Sequence, residues 1–105
     1  MAQTKVLVLD EHHRVPAQLR GALERVGAEV QVRSPGEVLT APGRLPEVTV
    51  LLASAGLAPH TVRAVARRLD DEGQQPSVVA FAEHDLHLLD QHVLAGADYL
   101  APPFH

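Results

Sequence analysis

The chain contains no cysteine, so it forms neither disulfides nor thiolate metal sites, and this is compatible with a reducing compartment. No apolar run approaches the roughly 18 to 20 residues that a membrane span requires. The first ten residues lack the cationic start and small-residue cleavage site of a secretory leader. A cytoplasmic protein with no membrane partner is therefore expected. Basic residues are also scarce: nine Lys and Arg stand against 13 Asp and Glu, a net charge of −4. A chain of this balance lacks the basic patch needed to release counterions from nucleic acid, so direct nucleic-acid binding is not expected. Any DNA contact would run through another domain or chain.

What the sequence does contain is ordinary globular material. Hydrophobic residues make up 46% and charged residues 21% of the 105, which suits a folded single domain with a modest core. Lys5–Leu9 is a short continuous apolar run that stops at Asp10 and Glu11, the pattern of a strand buried on both faces. From Val15 the apolar residues Val15, Leu19, Ala22, Leu23 and Val26 share one helical face. Pro16 suits the first turn and Gly27 the stop. Glu29–Arg33 alternates polar and apolar residues, as an edge strand does. A short helix over 37–40 follows, with Ser34 as its cap and Pro42-Gly43 beyond it.

A second buried strand is expected over 48–52, followed by a small, flexible stretch from Ala53 to Pro59. Val62, Val65, Ala66 and Leu69 mark a helix that ends by Gly73, and 77–82 reads as another buried strand. Asp85 is placed to cap a helix carrying Leu86, Leu89, Val93 and Leu94, closed by Gly96 before a last short strand over 97–100. Five strands alternate with four helices through short connections. Such an order predicts an α/β fold with a parallel sheet and helices on both faces, since parallel neighbours need right-handed crossovers.

Three stretches carry a family resemblance: Val6-Leu7-Val8-Leu9-Asp10-Glu11 at the first strand, Val78-Val79-Ala80-Phe81 at the fourth, and Gly96-Ala97-Asp98-Tyr99-Leu100 leading to Pro103-Phe104. In this order and spacing they resemble the receiver domains of two-component response regulators, from Lys5 to Phe104. The resemblance implies a flavodoxin-like, doubly wound sheet of five strands in the order 2-1-3-4-5, with a site at the carboxyl ends of strands one and three. It also implies a role in signal transduction rather than an enzyme. Its partners would be a protein or a linked output domain, with a homodimer as a further possibility.

Receivers of this kind accept a phosphoryl group on an aspartate ending the third strand. They use a magnesium ion held by an acidic pair, a hydroxyl on the fourth strand and a lysine before a proline on the fifth. The carboxylate is the nucleophile, and the metal and ammonium neutralise phosphoryl oxygens. Here Asp10 and Glu11 match the acidic pair, but the acceptor position falls on Leu52, Ala53 or Ser54, none of them a carboxylate. The hydroxyl position matches Ala82 and the lysine position Pro102. Tyr99 matches the aromatic switch residue, deprived of the hydroxyl that normally moves it. These matches imply an atypical, phosphorylation-independent receiver, with no catalytic residues and a docking surface around the fourth helix, the fifth strand and Tyr99.

Seven histidines are the one compositional oddity. The expected topology sends His12, His13, His60 and His84 to one edge of the sheet. A divalent-metal-responsive site built from Asp10, Glu11, His12 and His84, holding magnesium or a transition metal, is therefore an alternative reading, although two carboxylates alone make a poor magnesium site. A structural oligomerisation module is another. Ser54 is more simply a strand-end serine that satisfies backbone groups. Arg63, Arg67 and Arg68, followed by Asp70, Asp71 and Glu72, predict a salt-bridged solvent face. Receivers resembling this chain continue into a final helix that is missing here. The chain is therefore expected to be the N-terminal part of a longer regulatory protein, or to have that face covered by a partner. The resemblance further implies a cis Pro102–Pro103 bond.

Overall fold

The computed structural model describes residues 4–82 and, for the backbone alone, 98–100. Five parallel strands form one sheet: β1 (Lys5–Leu9), β2 (Glu29–Arg33), β3 (Val50–Ser54), β4 (Ser77–Phe81) and β5 (Asp98–Leu100). Their order is β2-β1-β3-β4-β5, the order that the family resemblance implies. Helices α1 (Ala17–Arg25), α2 (Pro35–Thr40) and α3 (Pro59–Asp71) supply crossovers.

The pleat divides the core in two, because successive residues of a strand face opposite sides. On one side Leu7, Leu9, Leu51 and Ala53 pack with Val38 of α2 and with Val62, Val65 and Leu69 of α3. On the other, Val6, Val8, Leu52 and Phe81 pack with Leu19 of α1. Val8, Leu9, Val38, Leu51, Val65 and Leu69 are fully enclosed. Each such side chain contributes about 1.5 to 3 kcal/mol relative to exposure. The i, i+3, i+7 spacing of Val62, Val65 and Leu69 is what lets α3 offer one apolar stripe to the sheet.

Helix ends follow local chemistry. Ser34 caps α2 with Pro35 in the first turn: its hydroxyl accepts the Glu37 N–H at 3.3 Å, and the Glu37 carboxylate accepts the Ser34 N–H at 3.1 Å. This reciprocal box moves the start of the helix to Pro35, two residues ahead of the expected 37. Gly27 and Gly73 follow α1 and α3 with φ of 76° and 82°, the left-handed backbone that glycine adopts without a Cβ penalty. Pro16 stands just outside α1 as its N-cap, and α3 begins at Pro59, earlier than its apolar residues suggest.

The third strand is displaced from the expected 48–52. The ladder begins with Val50 beside Val6, while the N–H of Val48 is taken at 2.6 Å by the side-chain carbonyl of Gln74. Strand β3 consequently includes Ala53 and Ser54, which had been expected in a flexible stretch. Strand β5 pairs with β4 through Val79–Asp98, Ala80–Tyr99 and Phe81–Leu100. The expected helix after Asp85, the absence of a final helix and the Pro102–Pro103 bond concern residues outside those described.

Candidate functional site

The crevice at the carboxyl ends of β1 and β3 is the switch point of this topology, where the crossovers leave in opposite directions and ligands of doubly wound sheets bind. Leu9 stands beside Ala53, and Ala53 beside Ala80. Asp10 therefore leaves β1 level with the end of β3.

The Asp10 carboxylate is engaged by its own loop. One oxygen accepts the backbone N–H groups of both His12 and Arg14, each at 3.0 Å, and the Asp10 N–H donates to the Arg33 carbonyl at 3.1 Å. This is an aspartate's usual way of closing a turn. Glu11 and His12 are exposed.

The floor of this crevice is lined by alanines. Ala53 is fully enclosed, and Ala55, Ala80 and Ala82 form a small buried cluster of their own. Ser54, half-buried, accepts the Gly56 N–H on its hydroxyl at 3.4 Å, a weak turn-closing contact. Leu52 faces the α1 side of the sheet and Ala53 the α3 side.

A magnesium ion of the kind used by receivers needs several oxygen ligands in near-octahedral array. The described residues do not fit that demand. Asp10 already spends an oxygen on two N–H groups, and the end of β3 supplies no carboxylate. Among the described residues, no three His, Asp or Glu side chains lie together so as to hold a metal ion. His84 and Pro102, like the side chain of Tyr99, lie outside them. His60 occupies the first turn of α3, exposed.

One pairing at this edge escaped the sequence reading. His13 adopts a left-handed backbone, φ 57°, a conformation in which histidine is enriched. Its Nε2 meets the Glu37 carboxylate, tying the β1–α1 loop to the start of α2. The Glu37 carboxyl is held below its ordinary value, first by the Ser34 backbone N–H, then by the His13 side chain and the Ser34 hydroxyl. The spacing Ser34-x-x-Glu37 signals the box; nothing in the sequence signals the histidine.

The arginine stretch of α3 departs from expectation. Arg68 pairs with Glu72 at 3.6 Å, but its guanidinium also reaches the carbonyls of Val38, Ala41 and Gly43. Arg63 and Arg67 have no acidic partner among the described residues. The solvent face is thus not salt-bridged throughout, because Arg68 turns inward across α2.

No protein-family model and no curated protein matches the sequence. Solved structures do. The chain is similar to a response regulator receiver protein from Burkholderia phymatum, with 25% identity and a TM-score of 0.66 over 98% of this chain and 86% of that one. A response regulator from Thermotoga maritima gives 24% identity and a TM-score of 0.66 over 99% and 88%. The FixJ N-terminal domain gives 21% identity and a TM-score of 0.67 over 100% and 86%. With the sheet order β2-β1-β3-β4-β5 and near-complete overlap of each chain, this protein has the flavodoxin-like fold of the response regulator receiver domains.

Proposed function

We propose that this chain is a receiver module of two-component signalling that works without aspartyl phosphorylation, by docking a protein partner or a linked output domain. The observation that carries the reading is Ala53, enclosed at the end of β3 beside Leu9 and Ala80, where phosphorylation would need a carboxylate nucleophile. Ala82 and Pro102 extend the same reading from the sequence, since neither side chain can bond or neutralise a phosphoryl oxygen. Losing one preorganised partner of this kind typically removes about 3 to 4 kcal/mol of transition-state stabilisation. With the acceptor, the hydroxyl and the lysine positions all changed, ordinary aspartyl phosphorylation loses the partners that preorganise it.

The loop structure supports the same view. Asp10 acts as a turn-closing residue, and the His13–Glu37 contact holds the loop against α2. Docking is assigned to the region of the fourth helix, β5 and Tyr99, where the missing hydroxyl leaves Tyr99 without a phosphorylation-driven trigger.

Incubation with acetyl phosphate and magnesium, followed by intact mass, tests the proposal. An unchanged mass is expected, and a stoichiometric, alkali-labile gain of one phosphate would overturn it. Ala53→Asp should also remain unmodified, since a carboxylate alone restores neither the hydroxyl nor the cation.

A further inference from the structure

Strand β2 lies at one edge of the sheet. The Glu29 N–H donates to the Thr4 carbonyl at 2.9 Å, and the Arg33 carbonyl accepts the Asp10 N–H at 3.1 Å. In a parallel ladder the N–H and C=O of one residue point to the same side, and successive residues alternate sides. Glu29, Gln31 and Arg33 therefore spend their backbone groups on β1. Val30 and Val32 turn theirs to the open edge.

Natural sheets usually blunt such an edge with charged side chains, lysine above all, with proline or with a bulge; here the two charges, Glu29 and Arg33, are of opposite sign and oppose parallel self-pairing but not antiparallel. This strand, Glu-Val-Gln-Val-Arg, has no lysine or proline, and its pairing with β1 runs without interruption from Lys5–Glu29 to Leu9–Arg33. Neither Glu29 nor Arg33 has an ion-pair partner among the described residues. The side chains are also self-complementary about Gln31: reversing the strand exchanges Val30 with Val32 and sets Glu29 against Arg33.

We propose that two copies of this chain pair their β2 strands antiparallel about a two-fold axis at Gln31, joining two sheets into one. In this register Val30 of each copy lies opposite Val32 of the other, and the outward-facing groups exchange both hydrogen bonds of each pair. Glu29 meets Arg33 of the second copy, and Gln31 meets its own counterpart, at the non-hydrogen-bonded positions where side chains approach most closely.

Charge selects this register over its neighbours. An antiparallel axis at Val30 sets Glu29 against Gln31 and leaves Arg33 unopposed. An axis at Val32 sets Arg33 against Gln31. Parallel pairing in register would set glutamate on glutamate and arginine on arginine, which is destabilising. The interface is isologous, as closed two-fold dimers require. It rests on the described edge alone, independently of how the crevice at β1 and β3 is read.

Sedimentation of the full chain across a concentration series provides the test. The wild type should dimerise. Glu29→Arg and Arg33→Glu should each weaken association about tenfold or more, since each sets like charges against one another; tenfold corresponds to about 1.4 kcal/mol. An equimolar mixture of the two variants should regain dimer, because the mixed pair again faces arginine with glutamate at both ends. In concentration-dependent hydrogen exchange, the Val30 and Val32 amides should gain protection while the Gln31 amide, already bonded to β1, should not. This readout needs only the wild type and decides the matter if a variant fails to fold. A monomer throughout, a dimer indifferent to both reversals, a mixture no better than its components, or protection confined to other strands would overturn the proposal.

Discussion

Arg68 on α3 donates from Nη1 to the Val38 carbonyl of α2 at 2.6 Å, closing from outside a helix whose own last turn carries no basic residue. The final carbonyls of a helix lack partners within it. Here the guanidinium supplies them, and its Nη2 continues to Ala41 at 2.6 Å and Gly43 at 3.0 Å.

Replacing this fork should therefore loosen both α2 and the segment that leads into β3. Arg68→Met is expected to lower unfolding free energy by roughly 2 to 4 kcal/mol, the cost of losing charged hydrogen bonds and stranding half-buried carbonyls. Arg68→Lys should recover less than half, because one ammonium cannot reproduce the planar reach of a guanidinium. Urea titrations of the three proteins measure the difference, and equal stability of Arg68→Met and the wild type would contradict the assignment.

Asp10 offers a second test. Its carboxylate accepts two backbone N–H groups, so Asp10→Ala should cost about 1 to 2 kcal/mol, as the loss of a comparable cap does. Asp10→Asn should cost less, since an amide oxygen still accepts. Because the role is local, both costs should be the same with and without magnesium. A wild type stabilised by magnesium, with the gain abolished in Asp10→Asn, would show the carboxylate to be a metal ligand instead.

Acidification should report on Glu37. Its carboxyl is held below the ordinary value of 4.5, chiefly by the Ser34 N–H and then by His13. A folded value below the unfolded one contributes stability that is fully present above the unfolded value and disappears as pH falls through the folded value. The advantage of wild type over Glu37→Gln, which keeps a capping side chain without the charge, should therefore be constant at neutral pH and shrink once the pH drops below about 4.5. Unfolding measured over a pH series checks this. An advantage that persisted at strongly acid pH would remove the charge from the explanation.

The strands were legible because burial on both faces leaves a crude mark. Val6–Leu9 and the runs in β3 and β4 are apolar without a break, while Glu29–Arg33 alternates and does occupy the sheet edge. Gly27 and Gly73 marked helix ends because few other residues accept their backbone angles. Boundaries were less readable. Val48 belongs to the same apolar run as Val50, yet its N–H goes to Gln74 rather than to the ladder. The early start of α2 depended on Glu37 completing a box whose first half, Ser34, was evident.

The candidate site divides in the same way. The matching of Ala82 and Pro102 to a hydroxyl and a lysine comes from the family resemblance and belongs to the proposal. That β3 ends on Leu52, Ala53 and Ser54, without a carboxylate, could be read from the residues. That Asp10 turns to the N–H groups of His12 and Arg14, that His13 reaches Glu37, and that Arg68 crosses to Val38 could not.

Hydrophobic pattern and backbone restriction act between near neighbours in the chain, so the strands and several helix ends were already written in the residues, while the order of the strands came from the family resemblance. Polar side chains instead take whichever partner folding brings within about 3 Å. The Arg68–Val38 contact spans 30 positions and the His13–Glu37 contact 24. Such pairings come into existence with the packed molecule, because only then are those groups neighbours.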